Sequence, residues 1–450
     1  MAFSVVARVL HEKTGGLNET DFAKPYFTEW IMRTPSLVAG LAAIALIGYL
    51  ALRLHSLLAA WLAMGWATLH PWMLEFSTSV RGYAFAMTFL ALAVVAAVQI
   101  FRAGGGWRWR VVFGLGEMLA FCSVPTLLHG LVALNVAVFA GIIFDRSVDP
   151  AAQRGHLGAF FSSNIVAAIG AYLTFKPLLE QLRTYLGGEQ FHVDMSWTWI
   201  GDCVSNLLTG QPYVGWERGH PWAAATEQWP LALLGAGALL ASAFAIAALW
   251  RGWRGGLFAI LITLAFLAPP LTTFAQGKIT HFYLFPWYMA WQLPLWLTLF
   301  AIGAAELLTK GTKRLPPWTA PAAAASLLLI LGIATQHPRN AYLNTSVEAQ
   351  QESAASYRKS PNPYAPGHKE IITTSLITAN HAYDPWNHRM RSIDDLWIQV
   401  ARAEESGKPL YCDTAWIERI PLGIPRICAP VARRPLLRTG GEVLRPATPK

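Results

Sequence analysis

The sequence predicts an all-α polytopic membrane protein with a small α/β domain outside the membrane after the last span. Three observations carry that prediction. Of the 450 residues, 54% are hydrophobic and only 14% are charged, against roughly 25% charged in soluble domains. The apolar residues gather into runs of about 20, the length a helix rising 1.5 Å per residue needs to cross a hydrocarbon layer of about 30 Å. From residue 336 onward the runs stop, and the chain turns polar and rich in proline.

Ten spans are expected, at 35–53, 56–73, 82–101, 111–127, 128–144, 158–177, 229–250, 256–274, 282–306 and 318–335. The fourth and fifth are short and share a hinge around Pro125. Lysine and arginine resist translocation, so they mark cytoplasmic loops. One set of alternate short loops holds Arg53, Arg102, Arg108, Arg110, Arg146, Arg154, Arg251, Arg254, Lys310, Lys313 and Arg314, eleven in all. The other set holds Arg81 and Lys278. The first set is expected inside, which puts the amphipathic segment 1–34, the long loop 178–228 and everything after 336 outside. The formal net charge of +9 then has a topological cause and implies no nucleic-acid partner.

Residues 35–335 are thus expected to form the membrane domain and 336–450 an outer domain. Within the latter, "TSVEAQQESAASYRK" and "SIDDLWIQVARAEES" carry capping-box spacings, Thr345 to Glu348 and Ser392 to Asp395, and read as helices. "EIITTSLI", "KPLYCD" and "PRICAPV" suit short strands. Cys412 and Cys428 lie in two of them and face an oxidising compartment, where either a disulfide or two buried thiols is consistent with the pattern. The four cysteines, at 122, 203, 412 and 428, show no metal-site spacing.

One stretch, "HPWMLEFSTSVRGYAFAMTFLALAVV" from His70, passes abruptly from charged and aromatic residues into hydrocarbon. Together with "EWIMRTPSLVAGLAAIALIGYLALRL" it resembles the GT-C glycosyltransferases that use polyprenyl-phosphate sugars, the family of protein mannosyltransferases and lipid A aminoarabinose transferases. Trp30, Arg33, Pro35 and Ser36 match the first family phrase, and Pro71, Ser77, Arg81, Gly82 and Tyr83 the second. "HFYLFPWYMAWQLP", His281 to Pro294, resembles a third segment more weakly. The resemblance implies a GT-C fold in a bacterial inner membrane with a periplasmic C-terminal domain. It also implies inverting transfer from a polyprenyl-phosphate sugar to a lipid, glycan or protein acceptor. It further implies one helix and its catalytic aspartate ahead of Met1. Ser79 stands where the family often has an acid, and Glu75, one turn away, is the nearest carboxylate.

Such a transfer needs a carboxylate to activate the acceptor, a cation for the departing phosphate and a surface for the sugar. Arg81, at the lip of a span, can fork onto two phosphate oxygens without the cost of the bilayer centre; it can equally snorkel or pair with Glu75. Lys278 and His281 flank another outer mouth and offer a second cation, or a helix-end anchor. Glu75 can serve as acid, base or ligand of a divalent cation, the one cofactor the residues suggest, or as an ion-pair partner. Tyr83 follows the arginine at the same lip. Trp197 and Trp199 in the outer loop present faces for sugar stacking or for interfacial anchoring. His70 and His129 stand near outer helix ends as hydrogen-bonding side chains or as members of an acceptor site. No HExxH, Walker loop or nucleophile elbow is present. Two other readings remain: a transporter of lipid-linked glycans, which favours inverted repeats and midplane charges, and a GT-C relative that only binds polyprenyl phosphate.

Overall fold

The computed structural model describes residues 29–79, 82–103, 106–144, 149–176, 195–210, 229–252, 257–281, 284–336 and 338–340, together with Glu405 and five short strands. Two compact units divide them: the described residues from Arg33 to Arg339 make the first, and the strands belong to the second.

The first unit is helical and multi-pass. Its helices are α1 (Glu29–Leu54), α2 (Leu57–Leu69), α3 (Pro71–Thr78), α4 (Tyr83–Ala103), α5 (Trp107–Ser123), α6 (Leu128–Phe144), α7 (Pro150–Phe175), α8 (Thr198–Thr209), α9 (Trp229–Gly252), α10 (Leu257–Thr280), α11 (Leu293–Gly311) and α12 (Thr319–Ala334). Among the described residues, Arg33–Leu54, Tyr83–Ile100, Pro125–Phe144, Pro150–Phe175 and Pro286–Gly311 are long and apolar enough to cross a membrane, and α2, Ala236–Arg251 and α12 are shorter apolar helices. The exposed faces are equally apolar: Phe161, Ile165, Val166, Ile169 and Leu173 on α7 stand outward, as they can only where lipid replaces water.

Local chemistry sets the helix ends. The Ser56 side chain accepts from the Ala59 N–H to open α2, and Asp149 accepts from the Ala151 N–H, with Pro150 in the first position, to open α7. Several boundaries differ from the expected ones. Span 56–73 is interrupted: α2 ends at Leu69, and α3 starts afresh at Pro71, with the His70 side chain accepting from the Trp72 N–H as its cap. A proline lacks the N–H that would continue the helix, whereas hydropathy passes over it. The first helix starts at Glu29, ahead of the expected 35, and carries Pro35 inside it. The expected span from 282 opens instead as a 3-10 segment, Pro286–Gln292, before α11.

Helices approach most closely where glycine removes the side chain. A Cβ on Gly303 of α11 would lie 1.7 Å from the Ala241 carbonyl oxygen of α9, so these two backbones touch. Trp66 of α2 and Trp296 of α11 flank Phe300 at ring-centroid distances of 5.2 and 5.6 Å. At the end of the bundle opposite His70, Glu306 gathers Arg251 at 2.8 Å, Lys310 at 2.8 Å and His55 at 3.2 Å. That carboxylate ties the ends of α1, α9 and α11 together.

The second unit contains one sheet in the order β2-β1-β3-β5-β4, with β1 Ile372–Ser375, β2 His388–Arg389, β3 Leu410–Asp413, β4 Arg433–Pro435 and β5 Glu442–Leu444. β1 runs parallel to β2 and β3, while β5 runs antiparallel to β3 and β4. β1 and β3 fall within "EIITTSLI" and "KPLYCD". Thr345, Ser392, "PRICAPV" and Cys428 lie outside the described residues.

Candidate functional site

At the His70 end of the bundle, α8 joins two of the motif-bearing segments, the one that begins at His70 and the one that ends at Pro294. At its C-terminal side the His70 Nε2–H donates to the Leu207 carbonyl at 3.2 Å while Nδ1 accepts from Trp72 N–H at 3.2 Å. Using both ring nitrogens this way requires the neutral tautomer with the proton on Nε2. The imidazole is 1% exposed, so it is a structural joint. Gly210 closes α8 with φ 65, and a Cβ there would lie 2.6 Å from Pro71 Cδ. Only glycine serves both the left-handed backbone and that approach.

At the other side of the α8 segment, Met195 is buried against Gly277 of α10. Trp199 stacks 6.3 Å from Phe274, and its indole N–H donates to the Leu284 carbonyl at 2.5 Å. Trp199 is 1% exposed and Trp197 is 75% exposed. The two tryptophans, expected to stack on sugar or to anchor at the interface, therefore separate: Trp199 is a packing and hydrogen-bonding residue whose face is covered. Trp197, 4.6 Å from the Phe274 ring, keeps an open face. Replacing Trp199 with phenylalanine strands the Leu284 carbonyl. That is expected to cost about 1–3 kcal/mol, seen as faster hydrogen exchange over 195–210 with α9 and α11 unchanged.

Glu75 lies on α3, half-buried, and Tyr83 opens α4. Tyr83 is 6% exposed, with its ring 4.7 Å from Phe76, and Phe76 in turn meets Trp72 edge-on at 5.6 Å. Its body belongs to the packing of α3 on α4, not to an open sugar surface, because the ladder of three aromatics leaves it little accessible area. Arg81 lies outside the described residues; its neighbour Gly82 sits where a Cβ would meet the Ser123 carbonyl oxygen at 2.6 Å. The glycine of the "RGY" run is thus required by the contact of α4 with the end of α5. Lys278, in the last turn of α10, and His281 are exposed. His281 has φ 53 and ends α10 in the left-handed region, an uncommon conformation for a residue with a side chain. His129 bonds Gln276 of α10 at 2.5 Å, as a hydrogen-bonding side chain.

Sequence reasoning missed a polar stripe on α8. Asp202, Ser205, Asn206 and Thr209 are all buried. Their spacing of three or four residues was the available signal, hidden by the reading of this loop as a tryptophan anchor. The Cys203 thiol beside them is pushed up by burial and by the Asp202 charge, which leaves it unreactive. Among the described residues no three His, Cys, Asp or Glu side chains converge to hold a metal.

No family model matches the chain, and no curated protein matches it. Its structure is similar to ArnT from Cupriavidus metallidurans in the apo state, with 11% identity, coverage of 100% of this chain and 88% of that one, and a TM-score of 0.53. It is also similar to ArnT from the same organism bound to undecaprenyl phosphate, with 11% identity, coverage of 99% and 87%, and a TM-score of 0.55. At 11% identity the likeness is one of fold: the chain shares the helical membrane fold of that protein.

Proposed function

We propose that this chain is an inverting hexosyl- or pentosyltransferase of GT-C type. It moves a sugar from a polyprenyl-phosphate carrier to a lipid, glycan or protein acceptor at the periplasmic face of a bacterial inner membrane. The observation that carries the reading is the α8 staple. His70–Leu207 at one end and Trp199–Leu284 at the other hold two motifs some two hundred residues apart at one rim. The fold shared with a protein that has been seen with undecaprenyl phosphate supports the same carrier here.

In this reading Arg81, and Lys278 with His281 across the rim, face the carrier phosphate, where fixed positive charge stabilises the leaving group as it becomes anionic. The left-handed His281 fits that role, since conformations of this kind cluster at functional sites. Glu75 serves as the acid or base nearest the reacting centre, and Trp197 offers its open face to the sugar. The strands after 372 belong to a periplasmic α/β domain.

The test is reconstitution in vesicles holding a polyprenyl-phosphate-linked labelled sugar and bacterial envelope acceptors. Label moving to an acceptor supports the transferase. Label crossing the bilayer still on its carrier identifies a transporter instead, and carrier binding with neither outcome identifies a binding protein. Impermeant thiol labelling supplies the sidedness: a cysteine at 278 is expected to react in intact spheroplasts and one at 313 only after lysis.

A further inference from the structure

We propose that Glu117 of α5 is a proton-binding site within the membrane: it is carried as the neutral acid in a reciprocal acid–amide pair with Asn135 of α6. Glu117 is 3% exposed. Ten residues from the start of α5, it lies about 15 Å along a helix packed against α4 and α7, both long and apolar enough to cross a membrane. The Asn135 Nδ2 donates to Glu117 Oε1 at 2.5 Å and also to the Leu131 carbonyl at 2.9 Å. A backbone carbonyl can only accept, so the second bond fixes which end of the amide is nitrogen.

That orientation leaves Asn135 Oδ1 buried without a donor among the described residues. An ionised Glu117 has no hydrogen to give and would meet its partner with a single neutral donor. This is poor compensation for a charge in hydrocarbon. A protonated Glu117 resolves both defects at once: its O–H satisfies the orphaned Oδ1, and no net charge is buried. No cation bonds Glu117 among the described residues. The elements packed against α5 carry their titratable groups toward their ends: Tyr83 and Arg102 on α4, His129 in the first turn of α6, Arg154 and His156 near the start of α7 and the exposed Tyr172 near its end. On α5 itself stand Arg108, Arg110 and Cys122.

The pair fastens a hairpin whose tip meets the motif segments. Ser123 presents its carbonyl to Gly82, and the Thr126 hydroxyl donates to the Tyr288 carbonyl at 3.1 Å. The inference goes beyond the transfer reaction and does not depend on it. Its test is infrared difference spectroscopy on the full-length protein in nanodiscs at neutral pH, wild type minus Glu117→Gln, with no substrate present. A protonated-carboxyl carbonyl band is expected, and it should shift in frequency in Asn135→Leu. A difference spectrum showing only ionised carboxylate bands overturns the proposal; a carbonyl band unmoved by Asn135→Leu overturns the reciprocal pair. Should Glu117→Gln fail to fold, carbon-13 labelling of glutamate in the otherwise unchanged protein makes the same decision, because the neutral-acid band must move with the label.

Discussion

Gly303→Leu is expected to leave no folded bundle. A Cβ at this position would start 1.7 Å from the Ala241 carbonyl oxygen, 2.4 Å from its carbon and 2.9 Å from its Cα. All three are backbone atoms of α9, so no side chain can rotate aside. The two helices would have to part by roughly 1.5 Å along a contact packed as densely as an organic crystal, and the leucine would still need room beyond its Cβ. Ordinary overpacking costs about 1–3 kcal/mol when neighbours can shift; here the obstacle is a helix, and the loss is expected to exceed that range. The separation would also loosen the ion cluster one turn further along α11, where Glu306 holds Arg251 of α9 at 2.8 Å. The measurement is thermal unfolding in detergent together with monodispersity on gel filtration. Gly311→Ala provides the control on the same helix, since nothing lies within 4 Å of a Cβ there, and it should match the parent or gain slightly through helix propensity. A Gly303→Leu variant as stable as that control would mean that α9 and α11 are not in backbone contact.

The contrast between Gly303 and His70 shows which parts of this molecule can be read from a linear chain. A run of apolar residues declares a membrane helix by itself, because its solvent is outside the protein and every residue pays the same transfer cost. The helical membrane fold was legible for that reason. Helix interruptions were less so: Pro71 breaks the second span, yet hydropathy averages over one proline, and prolines are tolerated in membrane helices, as Pro269 and Pro270 inside α10 show. Site residues were legible by type and not by exposure. Trp197 and Trp199 are two positions apart and identical in chemistry, but the docking of α8 on Phe274 and Leu284 buries one and leaves the other open. Such docking arises from contacts far apart in sequence. Glu117 stood in plain view as a lone acid in an apolar run. Its partner Asn135 lies on the next helix, and nothing in the spacing of one helix names a residue on its neighbour.

Under the proposed function, Arg81→Ala is expected to lower transfer from a polyprenyl-phosphate sugar by two to three orders of magnitude while the protein remains folded. Removing one preorganised donor from a developing oxyanion costs about 10²–10³ in rate in well-studied acyl transfer, and a phosphate leaving group makes a comparable demand. The position adds to the charge. Arg81 directly precedes Gly82 and the first turn of α4, where unsatisfied backbone N–H groups and the helix dipole already favour an anion. The Gly82 contact with the Ser123 carbonyl pins that turn. Arg81→Lys should recover part of the activity, since it keeps the charge and loses the two-pronged geometry. A pure snorkelling role predicts a different pattern, with lysine and arginine equivalent and alanine changing membrane insertion more than turnover. The deciding measurement is kcat/KM for transfer in vesicles alongside thermal stability. Alanine and parent within threefold of each other would leave the carrier phosphate without its principal counter-charge, and Lys278 would be the next residue to substitute.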